Sequence, residues 1–441
     1  MPESPVIDPH PDESATPAPT YSTWLPWLAL DIPTGALLAA ILLVGMATDL
    51  WLPLLPEYLD RLQAPILFIA LYGSGKDLVD AVAFYCGGSL AARFNTRRAL
   101  LICNALPLVG MAVLLIWPSK YAVFVALPFL GVWNSVSGPA MLRVVGESLS
   151  AERRSMAFAL QSIQKRLSSI FAYAIGGGLV LALGEIQGVR AGLALGFLLV
   201  SVSWMIQYRF MRTAVVDDDF ALHRPWQLFG QMDPRLRRLL VSDVLARWCE
   251  GMPRELMILY CVSLLLQGGM ETTVDASAFY VSVLLTIMNV TSLILYVPIG
   301  YLSSRPGAVR KPYIGLTFLL FATFPLALVV LGPAAGTAGL IGAFVIGGMR
   351  EIGEPARKAL ITELTPPALR TQTIGLYWSA RSVAITLAPL TGGVIWIRFG
   401  PEAMLCTAGI LGLVGTVLFY WRFASPNAVL ALPGDENSTS K

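Results

Sequence analysis

The chain has 441 residues, of which 56% are hydrophobic and only 13% charged, whereas soluble domains run to about 25% charged. That balance excludes an ordinary soluble enzyme, and a net charge of +3 spread over dispersed cations excludes a nucleic-acid binder. The five cysteines (Cys86, Cys103, Cys249, Cys261 and Cys406) all lie in apolar runs without a CxxC pair, so no metal centre, cofactor or disulfide framework is indicated.

Residues 1–30 form an N-terminal tail, largely disordered: the first 23 are rich in Pro, Ser, Thr and acids and lack the basic start of a signal peptide. A bilayer-spanning helix needs about 20 apolar residues. Twelve such runs follow, near 34–58, 65–92, 98–117, 120–148, 154–184, 188–210, 239–266, 276–303, 312–332, 335–363, 370–397 and 402–422. The expected fold class is therefore all-α integral membrane. Residues 31–210 make one six-helix bundle, 211–238 a polar linker, 239–422 a second bundle and 423–441 a C-terminal tail. The linker carries Asp217-Asp218-Asp219, then a basic stretch, with a short surface helix expected around 225–231.

Cations set the topology. Connections after the even-numbered spans hold Arg93, Arg97 and Arg98; Arg153 and Arg154; Arg212, Arg224, Arg235, Arg237 and Arg238; Arg305, Arg310 and Lys311; and Arg370. The opposite connections hold only Arg61, Lys120, Arg190 and Arg398. Both termini and the linker are thus expected on the cytoplasmic side.

The two bundles are related. Shifted by 216, residues 131–178 overlie 347–394, matching Gly131 to Gly347, Pro139-Ala140 to Pro355-Ala356, Glu147 to Glu363, Arg154 to Arg370, and Gly176-Gly177 to Gly392-Gly393. A second match, shifted by 212, pairs GSLAARFNTRR from Gly88 with GYLSSRPGAVRK from Gly300. Two repeats around a central site are a construction common among secondary transporters.

Those two segments resemble the G-x-L-A-D-R-x-G-R-R loop that joins the second and third helices of each half in the major facilitator superfamily. Gly88, Arg93, Arg97 and Arg98 match in the first copy, and Gly300, Arg305, Arg310 and Lys311 in the second. Ala92 and Ser304 stand where the family has an acid. The segment from Glu354 to Gly393 is similar to the helix 4–loop–helix 5 unit of bacterial members. The resemblance implies twelve helices in two pseudo-symmetric six-helix bundles, in the cytoplasmic (inner) membrane of a bacterium.

Charges inside the spans are the chemical signal. Each costs about 2.5–3.5 kcal/mol at a helix centre and should face protein or a wet cavity. Span 2 has Lys76, Asp77 and Asp80; span 5 has Lys165 and Arg166; span 7 has Asp243, Arg247, Glu250, Arg254 and Glu255. Span 10 has Arg350, Glu351 and Glu354, and span 11 has Arg381 beside Tyr377 and Trp378. Four (i, i+4) pairs are available: Lys76–Asp80, Asp243–Arg247, Glu250–Arg254 and Arg350–Glu354. The 216 shift superposes Lys165 on Arg381 and Asn134 on Arg350. Lys165, Arg381 and Arg350, with Tyr377, Trp378 and Asn134, are the expected substrate-binding set, facing an anionic or polar group. Aromatic residues at helical spacing, Trp133, Phe158 and Phe171 among them, serve either packing or the cavity wall.

Coupling needs a group that changes protonation. His10 and His223 lie outside the spans, so a carboxylate is the choice: Asp77, Asp80, Glu250, Glu351 or Asp49. GSGKD at Gly73 lacks the spacing of a phosphate loop, leaving no ATPase module. The reading is a proton-coupled secondary transporter for a small organic solute, working by alternating access as a monomer among membrane lipids. The alternative is a transporter-shaped receptor or scaffold without flux, which would have little use for so many charges at mid-depth.

Overall fold

The computed structural model describes residues 32–93, 96–133, 151–210, 225–268, 273–303, 311–365 and 370–422. Regular structure there is entirely helical. The first half comprises α1 (Ile32–Asp49), α2 (Leu55–Arg61), α3 (Ile66–Arg93), α4 (Thr96–Ile116), α5 (Ala122–Leu130), α6 (Ala151–Leu183) and α7 (Glu185–Phe210). A short helix, α8 (Pro225–Gln231), precedes α9 (Pro234–Gly251) and α10 (Met257–Gln267). The rest are α11 (Val274–Ser303), α12 (Lys311–Met349), α13 (Glu354–Glu363), α14 (Arg370–Ile385), α15 (Ala388–Phe399) and α16 (Pro401–Arg422).

Seven stretches among the described residues are long and apolar enough to cross a membrane, and the chain is a multi-pass membrane protein. The difference from twelve expected spans has a physical cause. α3, α9 and α13 carry the charge clusters, so hydropathy alone passes them over. The apolar core of α4 is a shorter stretch, Leu100–Ile116, and most of span 4 lies outside the described residues. Spans 9 and 10 run together in α12, where the chain doubles back: Gly336 has φ 55°, a left-handed conformation that glycine adopts without strain. A Cβ on Gly339 would clash with the Leu331 carbonyl oxygen, eight residues back.

Several spans are broken rather than continuous. α1 gives way to a 3₁₀ turn at Leu52–Leu54 with Pro53 near its start, α9 and α10 are separated by a turn at 252–256 containing Pro253, and 350–353 separates α12 from α13. α14 and α15 part just before Pro389. Proline lacks the N–H that a continuing helix needs.

The duplication is visible in the packing. α6 crosses α11, and α3 crosses α14 and α15, joining the two halves. A Cβ on Gly177 would come 2.6 Å from the Ser282 Cβ, and one on Gly393 would come 2.6 Å from the Ala70 Cβ. Gly177 and Gly393 are related by 216, and Ala70 and Ser282 by 212, so the same crossing is made twice. Gly176 and Gly392 press likewise on the backbone just before the two proline breaks, at Leu50 and Met252 respectively. Gly184 (φ 77°) and Gly400 (φ 90°), again 216 apart, make the turns into the last helix of each half.

The GGG run at 176–178 supplies a contrast. Gly176→Val drives side-chain atoms into the Leu50 carbonyl, and such overpacking costs about 1–3 kcal/mol. Gly178 has nothing within 4 Å of a built Cβ, so Gly178→Ala is expected to unfold like the parent. Thermal unfolding of the two variants in detergent checks both.

Candidate functional site

The densest chemistry lies in the second half, where α9, the 350–353 turn, α13 and α14 meet. Asp243, Arg247 and Glu250 share one face of α9 by helical spacing. Asp243 is wholly buried and sits beneath three arginines: it pairs with Arg357, lies 3.8 Å from Arg247 Nε and 3.9 Å from Arg381 Nη1. The Tyr377 hydroxyl donates to Asp243 Oδ2 at 3.0 Å. Arg357, 1% exposed, grips Glu354 through Nη2 at 2.7 Å and Nε at 3.0 Å. Arg247 bonds Glu250 at 2.6 Å and approaches Glu354 at 3.5 Å. Arg350 reaches Glu250 at 3.2 Å and lies over the Phe321 and Phe324 rings. A buried charge is tolerable only when paired and hydrogen-bonded, and this lattice satisfies nearly every member.

Arg381 is the most loosely held member, its one ion pair being the 3.9 Å approach to Asp243, although Asp243 Oδ1 and Arg247 Nε are also buried without a hydrogen bond. Among the described residues none of its nitrogens makes a hydrogen bond, and Nε and Nη1 are buried without a partner. Its guanidinium rests 4.1 Å above the Trp378 ring centroid. Four arginines here (Arg247, Arg350, Arg357, Arg381) meet three carboxylates (Asp243, Glu250, Glu354), and of the four Arg381 has the longest approach to a carboxylate as its nearest pair.

Ion pairs also cross the seam. Arg254 of the second half holds both oxygens of Asp77 on α3, at 3.0 and 3.1 Å. Arg166 on α6 holds Glu351 at 2.9 Å and the Asn289 side-chain oxygen at 3.3 Å. Asn289 is the repeat mate of Asp77 by the 212 shift, so the same position in each half seats an arginine from the other. Lys76 faces Glu255 at 4.0 Å. Lys165 is exposed and has no ion pair among the described residues. It shares a face with the buried Ser169 and Ala172, the face turned toward α1, where Ser169 donates to Asp49. Neither Asp49 nor Asp80 makes an ion pair among the described residues.

Of the four anticipated (i, i+4) pairs, only Asp243–Arg247 is made. Glu250–Arg254 straddles the 252–256 turn and Arg350–Glu354 the 350–353 turn, so neither has the continuous helix that the spacing presupposes. Lys76 turns to Glu255 instead of Asp80 because α3 is packed against the other half. Tyr377 is spent on Asp243 and is wholly buried; it braces the lattice, leaving Trp378 as the ring beneath Arg381. Trp133 is buried and Phe171 is 59% exposed on the outward side, while Asn134 and the Phe158 side chain lie outside what is described. In the loop motif, Gly88 lies within α3, Arg93 ends it and Gly300 lies within α11. Arg97, next to Arg98 at the start of α4, donates to the Tyr208 carbonyl at 2.6 Å, and Lys311 lies over the Tyr420 ring. Arg305 and Arg310 fall outside the described residues. Arg357 and Asn289 were not among the expected site residues; the repeat shift points to Asn289, and the Glu354–Arg357 spacing on an apolar segment points to Arg357.

Comparison with known proteins agrees. Residues 37–274 and 255–439 each match the Major Facilitator Superfamily. The chain belongs to the major facilitator superfamily. It is a non-enzymatic membrane transporter by family. No curated protein matches its sequence. Among solved members of this fold, a POT family transporter in complex with a thioalcohol-conjugated peptide superposes with a TM-score of 0.72 at 12% identity, covering 90% of this chain and 96% of that one. The nucleoside transporter NupG gives 0.68 at 13% identity, covering 90% and 100%. The human organic anion transporter MFSD10 gives 0.60 at 16%, covering 88% and 99%. At such identities the likeness speaks for the superfamily fold alone.

Removing one partner of a fully buried pair strands the other charge, at about 3–5 kcal/mol. Arg357→Ala is therefore expected to be severely destabilising and Arg381→Ala much less so, a difference that denaturant unfolding of the purified variants measures.

Proposed function

We propose that the protein is a proton-coupled secondary transporter that moves a small anionic or zwitterionic organic solute by alternating access. One observation carries this reading: Arg381, held to Asp243 only at 3.9 Å, keeps donors without hydrogen bonds over an indole face while every neighbouring arginine makes a shorter pair with a carboxylate. Donors of that kind suit a carboxylate or phosphate oxygen, through charge-assisted hydrogen bonds. Lys165, its repeat mate, offers a second cation from the other half, and Arg350, steadied by Glu250 and two phenylalanine rings, lends positive potential from behind. Transporters of similar fold are described with nucleosides, peptides and organic anions, solutes of the same small polar kind.

For the proton we assign Asp80 first and Asp49 second. Asp77, Glu250 and Glu351 are each held by an arginine, which ties up the charge that a proton would have to neutralise. Asp80 and Asp49 are free of ion pairs among the described residues. The protein works as a monomer in a bacterial cytoplasmic membrane, with both termini on the inner side, following the bias of its cations.

A thermal-shift screen of small organic acids and zwitterions identifies a ligand, and flux in proteoliposomes with an imposed pH gradient measures its movement. Arg381→Ala is expected to raise the half-saturation concentration at least about 10-fold. Asp80→Asn is expected to keep binding and lose the response to the pH gradient. Unchanged kinetics in Arg381→Ala contradicts the reading.

A further inference from the structure

Three side chains of α6 reach across to α1, and one of their partners can change its charge. Gln164 donates to the Leu38 carbonyl and Ser168 to the Leu42 carbonyl, acceptors that no proton alters. Ser169, the next residue, donates instead to Asp49 Oδ2 at 2.5 Å. The end of α1 that bears Asp49 is clamped. Cβ atoms built on Gly196 and Gly192 of α7 would lie 2.7 and 3.1 Å from the Ala47 and Leu50 carbonyl oxygens. Gly176 presses on Leu50 from α6 itself. A change at Asp49 is therefore answered by the side chain opposite it rather than by a shift of α1.

Ser169 has one hydroxyl hydrogen and two acceptors in reach. Its Oγ is also 3.1 Å from the Lys165 carbonyl, one turn back on its own helix. An ionised Asp49 takes the hydrogen, because a bond to a carboxylate is charge-assisted and the stronger of the two. A protonated Asp49 has a hydrogen of its own to give, and a hydroxyl accepts as well as donates. The Asp49 proton then points at Ser169 Oγ, and the Ser169 hydrogen swings to the Lys165 carbonyl. A serine bond to the carbonyl one turn back commonly bends a helix. The charged groups around Asp49 are Lys165 and Arg166 on α6 and Lys76 on α3, with the Tyr173 phenol beside them; α7 presents glycine there.

We propose, resting on the proton-coupled reading above, that Ser169 is a positioning residue that passes the protonation state of Asp49 to α6. It does so by turning its one hydrogen between Asp49 and the Lys165 carbonyl. An ionised Asp49 leaves α6 straight at Lys165, and a protonated one bends it there. The bend moves two side chains at once: the cation offered to the solute, and the Arg166 that holds Glu351 across the seam. A proton taken up beside α1 thereby reaches both the solute and the opposite half.

The test places spin labels through Phe171→Cys on α6 and Val109→Cys on α4, both exposed positions, in a background free of other cysteines. Both sites belong to the first half, so rocking of the halves leaves their separation alone. Pulsed electron spin resonance in lipid nanodiscs without solute follows that separation from about pH 8 to about pH 4, across the ordinary carboxylate range. The separation is expected to change by about 1–2 Å in the labelled parent and in Ser169→Thr, which keeps the hydroxyl. Asp49→Asn, neutral and with hydrogens to give, is expected to hold the low-pH value throughout, and Ser169→Ala the high-pH value. No change in the parent, or an undiminished change in Ser169→Ala, overturns the proposal. Should Ser169→Ala not fold, Ser169→Cys, whose thiol is a weak donor, is read by the same outcomes. Flux is a separate readout: the full pH-driven pattern in a protein without flux contradicts transport and supports the role of Ser169.

Discussion

Lipid cannot solvate a charge, and the arrangement of this protein follows from that single constraint. Five arginines of the second half (Arg247, Arg254, Arg350, Arg357 and Arg381) and three cations of the first (Lys76, Lys165 and Arg166) fall within the expected spans, each at a cost of several kcal/mol unless faced by protein or water. The molecule answers by breaking helices. The turns at 252–256 and 350–353 free Arg254, Glu255, Arg350 and Glu351 from helical register, so that they reach partners on other elements. Breaks of this kind are tolerated in a membrane only where the backbone is buried in protein or lines a cavity. Charge and helix interruption are therefore one feature seen two ways.

Duplication gives the constraint its geometry. The crossings of α6 with α11 and of α3 with α15 are made by repeat-related glycines against repeat-related small residues. Two like halves thus touch through a pair of repeat-related crossings. The two cross-seam arginine seats differ in kind, since Asp77 answers Arg254 with charge whereas Asn289 answers Arg166 without it. Glu351 makes up that deficit from the 350–353 turn.

Much of this was readable in the chain. The 216 shift located the fifth helix of each half, and composition set the membrane class. Intramembrane charges marked the region of the site, because nothing else justifies their cost. Partner choice was not readable. Spacing on one helix suggested Glu250 with Arg254 and Arg350 with Glu354, but a turn within four residues abolishes (i, i+4) geometry; Glu250 and Glu354 pair instead with arginines three residues away, Arg254 with Asp77 across the seam and Arg350 with Glu250 on another helix. Arg357 was hidden for a related reason: near a helix end it resembles a topology anchor, and only tertiary packing shows its guanidinium sealed against Asp243. The span count suffered where charge clusters depress hydropathy, in the same helices that hold the chemistry.

The central claim is that the two halves enclose a wet path and that Lys165 and Arg381 face it. Cysteine placed at position 165 in a background free of other cysteines tests this most directly, by its reaction with a membrane-impermeant thiol reagent in sealed vesicles. The account predicts labelling from the aqueous phase that falls when a transported solute is added. A cysteine inert to the aqueous reagent but modified by a lipid-soluble one would place that face of α6 in the bilayer, contradicting the enclosed path.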